Sequence, residues 1–310
     1  MRIQYILLLI LLASCSNHQH AELVLEDFNE NETHFQKMII GQLSGAKSIN
    51  TSNNEKIYLK SRWSKKEREI SISYFQTLIE KMGLDPVVHQ YKLPNLNFGI
   101  DLLIEPLSGK NIFTILESSS KSDEYVILGA HYDTGARNVP GAIDNGSGIA
   151  LISEVLRKAI KITNRKKNLI VVFFDQEEED ISAGSTAFAK YLIKQKYKVH
   201  SVHTYDLIGW DSDNNKEVEI ELPSPKLEEL YKRHADTLGI PIYVTKVNSS
   251  DHYSFIKKGF EAVGISQAYV KKDNSGKKDT PEDKYEIVNF EYLASSTALA
   301  YEVIKEILND

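Results

Sequence analysis

From Pro86 onward the sequence alternates short apolar runs, rich in Val, Ile and Phe, with longer stretches of helical periodicity. Short runs of this kind read as strands buried on both faces, and a helix between successive runs is the connection that parallel neighbours require. The runs are Val87–Gln90, Ile112–Leu116, Val126–Ala130, Leu169–Phe174, His200–Tyr205, Glu217–Glu221, Ile242–Lys246 and Ala262–Ser266. Ser147–Ile160, Ser185–Lys194, Lys226–Leu238, His252–Lys258 and a last segment with Leu293, Thr297, Ala300, Ile304 and Leu308 on one face fill the gaps as helices. The pattern predicts an α/β protein with a mostly parallel sheet covered on both faces.

Upstream, Phe35, Met38, Ile39 and Leu43 recur at helical spacing, and a second helix carries Ile70, Tyr74, Phe75, Leu78 and Met82 up to Gly83. No repeat and no Gly-, Ser- or Pro-rich linker divides the chain, so residues 31–310 read as one domain with N-terminal packing helices. An apolar content of 42% over 310 residues supports a substantial core. The 37 Lys and Arg against 43 Asp and Glu leave a net charge of −6, which argues against nucleic acid as a partner.

Residues 1–15 stand apart. Arg2 gives a positive start, Ile6–Leu12 is apolar, and Leu12-Ala13-Ser14-Cys15 follows. Spanning about 30 Å of hydrocarbon takes roughly 20 helical residues, so this shorter run reads as an export signal. Its ending resembles the bacterial lipobox, where the chain is cut before a cysteine that then carries lipid. Cys15 is the only cysteine in the sequence, which excludes an internal disulfide. The expectation is a lipoprotein of the bacterial cell envelope, anchored to membrane at Cys15, with a polar tether over residues 16–30 in which His18 and His20 act as spacer.

Open α/β sheets place their sites at the carboxyl ends of strands, and three apolar runs end in polar clusters. Val126–Ala130 leads into His131-Tyr132-Asp133, Val171–Phe174 into Asp175-Gln176-Glu177-Glu178-Glu179, and Val202–Tyr205 into Asp206. Between the first two lies Gly141-Ala142-Ile143-Asp144-Asn145-Gly146-Ser147-Gly148, a loop leading into a helix. Singly, each is an ordinary strand end, acidic loop or helix cap. Jointly they gather an imidazole and several carboxylates at one rim without thiolates, a donor set that suits zinc or a related divalent ion. Asp133, two residues from His131, is placed to accept the other ring N–H of a ligating imidazole. Of two adjacent glutamates, one can face metal while the other takes a proton from water as it attacks a carbonyl. That chemistry is peptide-bond hydrolysis.

Together these motifs resemble the zinc aminopeptidase family that also contains glutamate carboxypeptidases and glutaminyl cyclases. The resemblance runs from about Ile70 to the C-terminus and rests on His131-Tyr132-Asp133-Thr134, on Gly141–Gly148, and on Phe173-Phe174-Asp175-Gln176-Glu177-Glu178 with Gly184-Ser185. It rests also on Tyr205-Asp206-Leu207-Ile208-Gly209 and on Ser250-Asp251-His252. It implies a three-layer α/β/α sandwich around a mixed, mostly parallel sheet. It also implies a two-zinc site in which His131 and Asp206 bind one ion, Asp144 bridges, Glu178 binds the second and Glu177 is the general base. Counting back from Gly184-Ser185 would instead move the glutamate roles to Glu178 and Glu179; counting from the strand favours Glu177 and Glu178. The family's late His-Thr-x-x-Asp motif is matched here by Asp279-Thr280-Pro281-Glu282-Asp283, so Asp279 stands where a histidine ligand is usual. Carboxylate oxygen is an accepted zinc donor. His252 is the rival donor, or a residue shaping the pocket, and Tyr243 and Tyr253 are candidates to meet substrate. The implied activity is an aminopeptidase acting on peptides. The competing readings are a glutaminyl cyclase-like acyltransferase, although that branch has an additional acid where this chain has Ser250, and a peptidase-like binding lipoprotein without turnover.

Overall fold

The computed structural model describes residues 22–25, 31–93, 107–178 and 182–310. Cys15, the expected signal and Glu179 lie outside them. A small antiparallel sheet joins β1 (Leu23–Val24), β2 (Ile49–Thr51) and β3 (Lys56–Ile57). Sequence reading counted residues 22–25 with the polar tether. That was incorrect for this piece, because Leu23 and Leu25 are buried and β1 pairs with β2.

Two helices precede the main sheet. In α1 (Glu32–Leu43), Asn31 caps the start by accepting the His34 N–H at 3.1 Å. α2 (Lys65–Lys81) begins with a capping box in which Ser64 and Glu67 each satisfy the other's backbone N–H. Both helices bury their apolar stripe, led by Phe35, Ile39, Tyr74, Phe75 and Leu78.

The eight strands of the main sheet are β4 (Val87–Leu93), β5 (Leu107–Leu116), β6 (Glu124–His131), β7 (Asn168–Phe174), β8 (Lys198–Tyr205), β9 (Val218–Glu221), β10 (Ile242–Thr245) and β11 (Ala262–Gln267). Their order is β10-β9-β11-β8-β6-β7-β5-β4. The centre, from β11 through β8 and β6 to β7, is parallel; on one side β5 pairs antiparallel with β7 and β4 antiparallel with β5, and on the other β9 pairs antiparallel with β11. The sheet is therefore mixed and mostly parallel, as expected. Helices α3 (Gly148–Ala159), α4 (Ala183–Gln195), α5 (Pro225–Leu238), α6 (Asp251–Ile256) and α7 (Phe290–Asn309) complete the layers.

The two-residue period of β7 shows why both faces must be covered. Leu169, Val171 and Phe173 enter one core, with Phe173 stacked on Phe75 of α2 at 4.3 Å between ring centroids. Ile170, Val172 and Phe174 enter the other, against Phe188 and Leu192 of α4 and Phe255 of α6. Each such side chain gains about 1.5–3 kcal/mol from leaving water. A Cβ at Gly129 on β6 would enter the Phe174 ring, so a larger residue there would force that buried ring to move. All of these strands and helices were predicted; the small sheet was not, because strands of two or three residues carry too little periodicity to read. No described helix is long and apolar enough to cross a membrane.

Under α5, His203 is fully buried between Ser201 Oγ, 2.9 Å from Nε2, and Tyr231 Oη, 3.0 Å from Nδ1. Burial lowers its pKa to about 3. Between that value and the unfolded value of about 6.5, the unfolded chain binds the extra proton, so stability is lost as pH falls through this window. The loss approaches about 5 kcal/mol at full protonation. His203→Gln is expected to flatten the acid limb of a plot of melting temperature against pH. An unchanged slope would show that the ring is not held neutral.

Candidate active site

Four chain segments meet at the carboxyl-terminal rim of β6, β7 and β8. His131 is the last residue of β6, and its Nε2 lies 3.2 Å from Asp144 Oδ1 and 3.3 Å from Asp206 Oδ1. One N–H cannot serve two carboxylates well, so the ring nitrogen faces more negative charge than a single proton balances. Burial opposes a charge on His131, but Asp206, Asp133 and Asp144 outweigh it and hold the ring well above its usual pKa.

Asp144 sits in the bend over Ala142–Ser147 that opens α3. Asp283 shapes this bend by accepting the N–H groups of Ile143 and Asp144 at 2.8 and 2.9 Å. Arg62, fully buried, donates to the carbonyls of Pro140 and Gly141 at the start of the same bend. Neither role was legible in sequence, although Asp283 lies within the quoted Asp279–Asp283 stretch. Asp144's second oxygen lies 3.0 Å from Lys278 Nζ, and Lys278 and His131 together outweigh burial to hold its pKa well below the carboxylate range.

Past β7 the backbone turns at Gln176, whose φ is 58°, and sends Glu177 and Glu178 toward His131. Asp133 fixes this turn, accepting the N–H of Glu177 at 3.0 Å and of Glu178 at 3.2 Å, while its Oδ1 lies 3.5 Å from His131 Nδ1. Asp133 thus lies beside the ring as a charged neighbour, and its carboxylate positions both glutamates. Glu178 offers an oxygen within 4.8 Å of the donor atoms of His131 and Asp144. Burial, reinforced by Asp144, pushes Glu178 up to about 10. Glu177 is buried too, and burial drives it well above the carboxylate range.

Asp206 completes the cluster from the end of β8, and Ser250 Oγ donates to its Oδ2 at 3.2 Å. Asp279 lies at the exposed edge with φ 58°. Its Oδ1 and Glu178 Oε2 both lie against Gly135, where any Cβ would collide with the Asp279 oxygen. The structure therefore brings Asp279 beside Glu178 but not into the tight group of His131, Asp144 and Glu178. His252 is turned away: its Nε2 lies 2.9 Å from Val247 O and its Nδ1 3.4 Å from Glu221 Oε2. The rival-donor reading of His252 is corrected accordingly, and its neighbour Asp251 is the residue that faces the site. Asp251 is buried, with its pKa raised to about 7 by burial, and repulsion from it adds to the upward shift of Glu177.

Glu178 Oε1 is buried without a hydrogen-bond partner, and Asp144 Oδ1 and Asp206 Oδ1 crowd the single nitrogen His131 Nε2. A buried unpaired carboxylate oxygen is costly, and this surplus of carboxylate oxygens around one imidazole nitrogen fits a divalent cation. Beside the cluster, Ile143, Leu207, Gln267, Tyr269, Lys278 and Asp279 line a cavity of about 290 Å³.

A mixed α/β sheet with an imidazole and carboxylates converging at its parallel strand ends defines an α/β protein with a candidate metal centre. Residues 111–304 match the sequence model of peptidase family M28, and the chain belongs to that family. Leucine aminopeptidase 1 of Pyrenophora tritici-repentis is 28% identical over 207 residues, covering 59% of this chain and 53% of the relative. A probable aminopeptidase of Saccharomyces cerevisiae is 27% identical over 213 residues, covering 64% of this chain and 57% of the relative. The chain thus spans about half the length of the curated relatives it matches. Among solved structures, a zinc aminopeptidase from Bacillus subtilis aligns with TM-score 0.75 at 16% identity, covering 90% of this chain and 95% of the other. The Porphyromonas gingivalis glutaminyl cyclase aligns with TM-score 0.71 at 15% identity, covering 91% and 99%. These likenesses are to the fold.

Proposed function

We propose that the chain is a zinc-dependent exopeptidase, an aminopeptidase that removes N-terminal residues from peptides. The observation that carries it is the tight group of His131, Asp144 and Glu178, with Asp206 against the same His131 nitrogen as Asp144 and a buried unpaired oxygen on Glu178, beside the buried carboxyl of Glu177. His131, Asp144, Glu178 and Asp206 would hold the metal, with Asp279 a further donor at the edge. When bound there, zinc supplies a Lewis acid that polarises the scissile carbonyl and eases proton loss from water. Glu177 accepts that proton on a carboxylate oxygen and returns it to the leaving amine. Asp133 holds Glu177, Glu178 and the His131 ring in register, and Ser250 steadies Asp206.

The purified protein is expected to release free amino acids from the N-termini of short peptides, to lose that activity on chelation and to regain it with zinc. Amino-acid release that persists in the fully demetallated protein would overturn the metal-dependent reading.

Asp251 supports a second reading, a glutaminyl cyclase-like acyltransferase, because its buried carboxyl supplies an extra acid next to Glu177. An N-terminal glutaminyl peptide separates the two: an aminopeptidase frees glutamine, whereas a cyclase frees ammonia and leaves a blocked peptide. We further propose, from Leu12-Ala13-Ser14-Cys15, that the protein is exported and anchored by lipid at Cys15. A Cys15→Ala variant that still fractionates with membranes would refute the anchor.

A further inference from the structure

The two carboxylate oxygens of Asp144 meet different neighbours. Oδ1 lies 3.2 Å from His131 Nε2, the nitrogen that Asp206 Oδ1 also approaches at 3.3 Å. Oδ2 lies 3.0 Å from Lys278 Nζ. Asp144 is only 1% exposed, whereas the Lys278 side chain keeps 35% of its surface exposed, so the lysine reaches the buried carboxylate from the cavity that it lines with Asp279. On this side stand further carboxylates. Glu178 has an oxygen in the tight group with Asp144, and Asp279, next to Lys278 in the chain, lies with Glu178 against Gly135. The Lys278 charge acts on Asp144, Asp206 and Glu178 together.

The backbone holds this pairing in place. The Thr280 N–H and hydroxyl both donate to the Lys277 carbonyl, at 3.1 and 2.7 Å, and the Asp283 N–H donates to the Thr280 carbonyl at 3.1 Å. Asp283 in turn accepts the N–H groups of Ile143 and Asp144. The stretch that delivers Lys278 is therefore tied to the backbone of the residue that the lysine meets.

A buried carboxylate among others is costly without a counter-charge. An ammonium and a divalent ion can each supply one, but like charges repel strongly at short range in a site of low dielectric. One oxygen of Asp144 therefore does not serve both at once. The two sides also differ as donor sets. The Oδ1 side has the His131 imidazole, which suits zinc, whereas Glu178 and Asp279 offer the Oδ2 side only carboxylate oxygen.

We propose that Lys278 competes with a second metal ion for Asp144, so that one zinc binds tightly on the His131 side and a second enters only by displacing the ammonium. The inference rests on the zinc reading of the site. It makes Lys278 a positioning residue, which sets how many ions the site holds and steadies Asp144 when one is bound.

Metal counting tests it without reference to turnover. The full chain, dialysed against zinc buffers of stepped free concentration, is expected to take up one ion per chain, with a second only at free zinc at least about tenfold higher. Lys278→Met keeps the length of the side chain without its charge and should strengthen the second step by about tenfold or more. Lys278→Arg restores the charge and should keep the wild-type spacing. Lys277→Met removes a charge from an exposed neighbour in the same loop and should leave both steps within about threefold of wild type. Two ions taken up together by the wild type would overturn the proposal. So would a second step that Lys278→Met leaves unchanged, or that Lys277→Met strengthens equally. Absence of any zinc uptake would overturn both the proposal and the metal reading on which it rests.

Discussion

Glu177→Gln is expected to lower turnover by about 10²–10⁴-fold, the range spanned by loss of a positioned general base, while zinc content and melting temperature stay at wild-type levels. Glutamine keeps the size of the side chain, and Asp133 can still accept the residue 177 backbone N–H that it accepts at 3.0 Å. What disappears is the oxygen that takes the proton. KM should change little, because an interaction made only during reaction affects kcat and kcat/KM alike. The measurement is steady-state hydrolysis of an aminoacyl peptide with metal content determined on the same sample. Activity within about threefold of wild type would move the base elsewhere, and buried Asp251 would be the next candidate.

The sequence made this site legible to the extent that its members follow strands. His131, Glu177, Glu178 and Asp206 each come directly after an apolar run or one turn beyond it, so their shared rim follows from a parallel sheet alone. Asp144 was legible for a different reason, being at the start of a helix behind a glycine bend. Asp279 was found only through its family resemblance, since a residue in an irregular loop has no period to place it; the structure brings it beside Glu178 but leaves it exposed. Lys278 and Arg62 were invisible, and Asp251 stood in the Ser250-Asp251-His252 motif without a role. Each reaches the site from far along the chain, and nothing in the local pattern separates a lysine against Asp144 from one in solvent. For His252 the sequence left two readings open, a rival donor or a residue shaping the pocket, and only the direction of α6 decides that Asp251 rather than His252 faces the carboxylate cluster.

Arg62→Met is expected to be the most damaging substitution outside the ligand set. The guanidinium is fully buried, which lowers its pKa to about 10, and its donors bind four carbonyls: Tyr132 at 2.5 Å, Leu43 at 2.8 Å, Pro140 at 2.7 Å and Gly141 at 2.9 Å. Leu43 is the last residue of α1, Tyr132 lies between His131 and Asp133, and Pro140 and Gly141 begin the bend toward Asp144. One planar fork therefore joins the N-terminal helix to two segments of the candidate active site. Methionine fills much of the volume but leaves the carbonyls unpaired, at about 1–3 kcal/mol each and less than additively. A total loss of about 4–6 kcal/mol follows, a large part of the 5–15 kcal/mol that typically holds a domain together. Arg62→Lys should recover only a fraction, because an ammonium lacks the fixed geometry to reach four acceptors. Urea unfolding measures the loss, and the folded fraction should also bind zinc more weakly, since His131 and Asp144 are held through the carbonyls that Arg62 gathers. A destabilisation below about 1 kcal/mol would mean that those carbonyls find other donors and that the bend carrying Asp144 does not depend on Arg62.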